Sequence, residues 1–221
     1  DDLRHALTVA TTERAIAIAR RGADPRPIGR CLDERSFVNA IIGLHATGGS
    51  TNHTLHLPAM AAAAGITLTW QDFADLSEVT PLLARVYPNG QADVNHFHAA
   101  GGMGYVIREL LGAGILDGTA ATVAGDSLAD YAREPVLGDN GLVWRDAPAD
   151  SLDRDILRPA SDPHAPNGGL RMLDGALGKS VIKISAVAPA RQLIEAPAAI
   201  FDDEAAVKAA YAEGALDRDV V

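Results

Sequence analysis

Two short stretches of the sequence carry residue types and spacings that could do chemistry. The first is Gly48-Gly49-Ser50-Thr51-Asn52: two glycines free to adopt positive φ, then three short hydrogen-bonding side chains. An apolar pattern at Leu55, Met60, Ala61 and Ala64 follows at once, so a helix is predicted to start here, with Ser50 or Thr51 as its natural N-cap. Free first-turn N–H groups and the positive end of the helix dipole would converge on this turn, an arrangement suited to phosphate or carboxylate. The plainer alternative is a well-capped helix and nothing more. The second stretch places Asn95, His96 and His98 just ahead of Ala99-Ala100-Gly101-Gly102. His96 and His98 share a direction only in extended backbone, whereas His53 and His56, three apart, share a helical face. A zinc site would need these imidazoles to converge, ideally with a carboxylate, and there is no H-E-x-x-H spacing. No metal ligand is therefore assigned. His53, Asn95, His96 and His98 read as hydrogen bonders to a polar or phosphorylated substrate, or else as capping and packing groups.

Composition narrows the classes of partner. The net charge of −10 and the lack of a basic run argue against nucleic acid and anionic membrane surfaces. Apolar stretches are too short and alanine-rich to span a bilayer. No signal peptide is visible and the single cysteine, Cys31, cannot close an internal disulfide, which together suit the cytoplasm. Cys31 reads as a small buried apolar group, since one thiolate cannot supply an iron–sulfur cluster. The start on Asp1 and the end on Val220-Val221 read as an internal piece of a longer polypeptide.

The elements that must hold these stretches follow from periodicity. Residues 3–21 are predicted as an amphipathic helix (Leu3, Leu7, Ala10, Ala15, Ile16, Ile18 and Ala19 inward, Arg20 and Arg21 at its end), and 35–46 as a second with Phe37, Val38, Ile41, Ile42 and Leu44 buried. The helix after the central turn runs to about residue 64, with Pro58 inside it and Gly65 closing it. Residues 66–70 read as a short strand and Asp72 as the start of a helical turn. Pro88-Asn89-Gly90 reads as a turn. A further helix continues from Gly102, and a capped one begins at Asp126. After Pro135, Asp-Asn-Gly at 139–141 signals hairpin chemistry. Residues 160–166 look like a linker. Beyond them 170–173, 181–187 and 198–201 read as strands, 202–213 as a helix with Ala206, Val207, Ala210 and Tyr211 inward, and 220–221 as the opening of a strand. The pattern is α/β first and β-rich afterwards.

Four stretches, SFVNAIIGLHATGGSTNHTLHL (36–57), LTWQDFADLSEVTPLLARVYPNGQADVNHFHAAGGM (68–103), NGGLRMLDGALGKSVIKISAV (167–187) and EGALDRDVV (213–221), carry a resemblance. In order, they resemble the dihydroxyacid dehydratase and phosphogluconate dehydratase superfamily, and NHFHAAGGM is similar to its 6-phosphogluconate branch. The resemblance implies an α/β domain followed by a swivelling β-barrel-like domain, with residues 1–162 the C-terminal portion of the first and 167–221 the beginning of the second. It implies an iron–sulfur hydro-lyase that dehydrates 6-phospho-D-gluconate to 2-dehydro-3-deoxy-6-phosphogluconate in the Entner–Doudoroff route, a small-molecule sugar-acid phosphate as partner, and a homodimer. A base would take the proton beside the carboxylate while a 4Fe-4S cluster acts as Lewis acid on the departing hydroxyl. The family's cluster cysteines and its catalytic serine motif lie outside these residues, so no catalytic residue is assigned, no cofactor is expected bound to this piece alone, and a divalent metal stays open for the whole protein. Substrate-binding candidates are Gly48, Gly49, Ser50, Thr51, Asn52, His53, Asn95, His96 and His98. The dihydroxyacid branch and a non-catalytic binding or scaffold domain are the alternatives.

Overall fold

The computed structural model describes residues 2–19 and 21–221. Asp1, and Arg20 at the expected end of the first helix, lie outside the described residues. Helix α1 (Asp2–Ile18) is followed by α2 (Glu34–Thr47), around which the first part of the chain packs. A capping box starts α2: the Asp33 carboxylate accepts the Ser36 N–H, and the Ser36 hydroxyl accepts the Asp33 N–H. Its apolar residues divide between two cores. Ile42 and Ala46 join Leu83, Ala84, Tyr105, Val106, Leu110 and Leu157, whereas Ile41 and Leu44 join Leu57, Phe73 and Leu170. Val38, expected in the buried stripe, is 38% exposed. The expected stripe of α1 is weaker still: Leu3, Leu7 and Ala10 are half-buried, and Ile16 is exposed. That helix lies beside the hairpin described below and is tied down by Arg14, which donates to Val123 O, Ala124 O and Asp24.

Gly48 ends α2 in the left-handed conformation (φ +58°), and α3 (His53–Ala63) begins after a short turn. Neither Ser50 nor Thr51 caps α3. Asn52 occupies the N-cap position without a side-chain cap bond. The buried face is Thr54, Leu57 and Ala61, so Leu55 and Met60 point to solvent, contrary to the pattern read from sequence. Residues 66–70 are not a strand. Thr69 and Asp72 form a second capping box, and α4 (Trp70–Val79) starts there, because a T-x-x-D spacing favours helix initiation over extension. Then come α5 (Val94–Ala99) and α6 (Gly102–Gly112). The helix expected from Asp126 is a short 3-10 segment, Leu128–Tyr131, capped by Ser127.

Strands group later in the chain. β1 (Arg133–Gly138) and β2 (Gly141–Asp146) form an antiparallel hairpin across Asp139-Asn140, as the turn chemistry predicts. β3 (Arg171–Gly175) and β4 (Gly178–Ile182) form another. The extended run 82–85 precedes both hairpins in sequence, is buried over Leu82, Leu83 and Ala84, and joins distant segments. Leu83 and Ala84 N–H donate to Ala46 O, Leu82 N–H to Ala165 O and Arg85 N–H to Ile156 O. Residues 160–166, read as a linker from composition, are held against this run, with His164 N–H donating to Leu82 O. The architecture is thus mixed α/β, helix-rich first and with its strands gathered later. Among the described residues no helix is long and apolar enough to cross a membrane.

Two compact units divide between Ala186 and Val187. The second holds α7 (Glu204–Ala212), N-capped by Asp203, and a pairing of Pro197 and Ala199 with Val221. None of its residues is buried, and Tyr211, expected inward, is 73% exposed. Residues 198–201 and 220–221 form no regular strand, and β4 stops at Ile182 because Ile184–Ala186 tightens into a 3-10 turn.

Candidate functional site

The turn between α2 and α3 is built from a helix end whose carbonyls are satisfied inward. Gly48 N–H donates to His45 O and Gly49 N–H to Leu44 O. Asn52 N–H meets Ser50 Oγ at 3.2 Å, and His53 and Thr54 N–H return to Ser50 O and Thr51 O. Among the described residues, the backbone N–H groups of Ser50 and Thr51 make no hydrogen bond. Ser50 and Thr51 line an open cleft of about 600 Å³ together with Thr47, Gly48 and Gly49. Opposite are Val86, Tyr87 and Pro88, Val94 and Phe97 from α5, Met103 from α6, and Lys183.

One carbonyl holds this wall in place. Gly48 O accepts Asn89 Nδ2 at 2.9 Å and Lys183 Nζ at 2.8 Å, and Ser185 Oγ donates to Asn89 Oδ1 at 2.7 Å. Packing leaves no slack there. A Cβ on Gly169 would stand 2.9 Å from Gly48 Cα, and one on Gly48 would stand 2.1 Å from Asn89 Nδ2. Burial pushes the Lys183 ammonium below the ordinary lysine range, and among the described residues no carboxylate offsets it. Among the described residues, the cleft therefore offers apolar walls, unoccupied amide donors and an ammonium with no acidic partner. That is the equipment for a polar ligand with an anionic end.

The candidates named from sequence divide. Gly48, Gly49, Ser50 and Thr51 share the cleft. Asn52 and His53 are exposed beside it, with His53 Nδ1 donating to Ser50 O at 3.0 Å. Asn95, His96 and His98 lie on α5, all exposed, while Val94 and Phe97 of that helix face the cleft. The Asp93 carboxylate caps α5: it accepts the N–H groups of Asn95 and His96 and lies 2.8 Å from His96 Nδ1. Those bonds, the His96 N–H first, hold Asp93 below the ordinary aspartate range. Among the described residues no three His, Cys, Asp or Glu side chains gather as a metal-binding group. Cys31 is buried and free.

Sequence reading overlooked Lys183, Asn89 and Ser185. Asn89 was hidden in a Pro-Asn-Gly turn signal, where asparagine needs no further reason to occur. Lys183 stands alone as a charge within Val181-Ile182-Lys183-Ile184, which was the available hint.

Comparison with known proteins bears on the whole of this arrangement. The family profile described as dihydroxy-acid/6-phosphogluconate dehydratase N-terminal matches residues 1–131, and its C-terminal counterpart matches residues 155–221. The chain belongs to the dihydroxy-acid/6-phosphogluconate dehydratase family. Within that family it is 56% identical to a phosphogluconate dehydratase of Rhizobium meliloti over 220 residues, 99% of this chain and 36% of that protein. A phosphogluconate dehydratase of Pseudomonas aeruginosa is 52% identical over 219 residues, again 99% of this chain and 36% of the relative. A dihydroxy-acid dehydratase of Nitratidesulfovibrio vulgaris is 37% identical over 205 residues, 92% of this chain and 34% of that protein. The chain thus spans little more than a third of the length of these dehydratases.

Proposed function

We propose that these residues serve in a cytoplasmic hydro-lyase of the 6-phosphogluconate branch, acting within the Entner–Doudoroff route, and that their cleft binds an anionic end of the sugar-acid phosphate. The observation that carries the branch is the gap between 56% and 52% identity to phosphogluconate dehydratases and 37% to a dihydroxy-acid dehydratase. In the reaction the C2–H bond is broken beside the carboxylate, the C3 hydroxyl leaves as water, and the resulting enol becomes the 2-oxo acid. The role supported for this chain is binding and orientation: free amides at Ser50 and Thr51 on one wall, and apolar side chains on the other that limit water. The iron–sulfur cluster implied by the resemblance does not fit these residues, because the sequence has one cysteine, and it is buried. Its ligands would come from elsewhere in a protein of the relatives' length, where a divalent metal and a homodimeric assembly also belong.

The test places these 221 residues in the corresponding span of the Pseudomonas aeruginosa relative. The expected result is retained dehydration of 6-phosphogluconate, preferred by at least roughly a hundredfold over a branched 2,3-dihydroxy acid without a phosphate. A folded chimera that turns over the dihydroxy acid instead would place the chain in the other branch.

A further inference from the structure

Lys183 is an unusual group for the place it occupies. Its ammonium has three donors, and among the described residues one is used, on Gly48 O at 2.8 Å. Among the described residues it has no carboxylate partner, whereas Arg14, Arg26 and Arg35 near α1 and α2 each pair with an aspartate. A half-buried charge costs desolvation, and a single carbonyl compensates it only in part. The side chain lines the same cleft as Ser50 and Thr51, whose amides are also without partners. An unneutralised cation and two unused N–H groups on one apolar-walled cleft have a common complement, an anionic oxygen.

We propose that Lys183 is a substrate-binding residue that supplies the positive charge for a phosphate or carboxylate oxygen in this cleft. The inference rests on the reading of the cleft as a sugar-acid phosphate site and adds to it the group that holds the charge. Bonding to Gly48 O keeps Nζ at the turn, so the remaining two donors serve the ligand without reorganisation. Asn89 is its structural counterpart: it holds the same carbonyl but carries no charge.

Calorimetric titration of the 221-residue chain tests this with 6-phosphogluconate, with gluconate, which lacks the phosphate, and with sorbitol 6-phosphate, which lacks the carboxylate. Lys183→Met is expected to weaken 6-phosphogluconate binding roughly ten- to a hundredfold, and Lys183→Arg by less than about fivefold. Asn89→Ala, which removes a hold on the same carbonyl without removing a charge, is expected to lower the melting temperature and to weaken binding less than Lys183→Met does. The phosphate is the partner if Lys183→Met weakens sorbitol 6-phosphate and spares gluconate, and the carboxylate is the partner in the reverse case. Equal Kd for Lys183→Met and the unaltered chain overturns the role of Lys183 and leaves the cleft reading intact. Equal losses in Lys183→Met and Asn89→Ala make Lys183 a brace for the turn and also overturn it. No binding by the unaltered chain removes the cleft and Lys183 together. Should Lys183→Met fail to fold, the pH profiles of the unaltered chain and Lys183→Arg decide. Binding that falls at lower pH with lysine than with arginine supports the proposal, and parallel profiles refute it.

Discussion

His45 is a titratable side chain shut away from solvent. It is fully buried, its Nε2 lies 2.9 Å from Phe73 O, and a carbonyl can only accept, so the proton sits on Nε2. Nδ1 is then a lone pair without a donor. Burial pushes its pKa down to about 4. The unfolded chain takes up this proton below pH about 6.5, and the folded chain only near 4. Stability from this group is therefore full above pH 6.5 and is lost as pH falls from there toward 4, by about 3 kcal/mol. Urea unfolding at pH 7, 5.5 and 4.5 should show that loss, and His45→Gln should flatten it, leaving the smaller contribution of the half-buried His164, which has the same sign. A profile unchanged by His45→Gln would mean that the ring is not the titrating group. None of this was readable beforehand. His45 was one more residue in a helical run, and its burial depends on Gly168, where a Cβ would meet the ring at 2.8 Å.

The helices differ in how much their sequences disclosed. α2 was legible because its start signal, apolar spacing and terminal glycines all agree. Asp33→Ala removes the cap that accepts Ser36 N–H, which should cost about 1 kcal/mol and lower the melting temperature by about 2–4 °C. The stretch 66–70 misled because β-branched residues favour extension locally, while the Thr69–Asp72 box decides the outcome. The turn at Gly48 was recognised, but not what presses on it, because contacts between residues far apart in sequence leave no periodic trace. Gly169→Ala probes that contact. Its new Cβ would strike backbone at Gly48 and the Ser185 hydroxyl, so a loss of about 1–3 kcal/mol is expected in thermal unfolding. If Gly169→Ala melts like the unaltered chain, the turn yields more easily than this packing implies.

Stability should be spread unevenly over the chain. Residues 82–85 carry backbone hydrogen bonds to segments on both sides and place Leu83 and Ala84 out of solvent contact, whereas 187–221 has no buried residue. Native-state hydrogen exchange should find the amides of Leu83, Ala84 and Arg85 among the slowest, and those of 187–221 exchanging through low-energy local openings. Uniform protection across both units would contradict this. Leu83→Ala, which empties a fully buried position, should cost about 2–5 kcal/mol. The sequence conveyed the mixture of helix and hairpin and the order of the two, since each rests on local chemistry. The division after Ala186 had no local marker.

The carbonyl of Gly48 has one further implication, for heredity. It belongs to the span matched by the N-terminal family profile, and Lys183 and Ser185, which reach it directly or through Asn89, belong to the span matched by the C-terminal one. The two halves are therefore not independent units of exchange. A recombinant that joined residues 1–154 to the corresponding later segment of a distant relative would inherit a foreign set of donors at that oxygen. The mismatch would arise far from the junction, in the wall of the cleft.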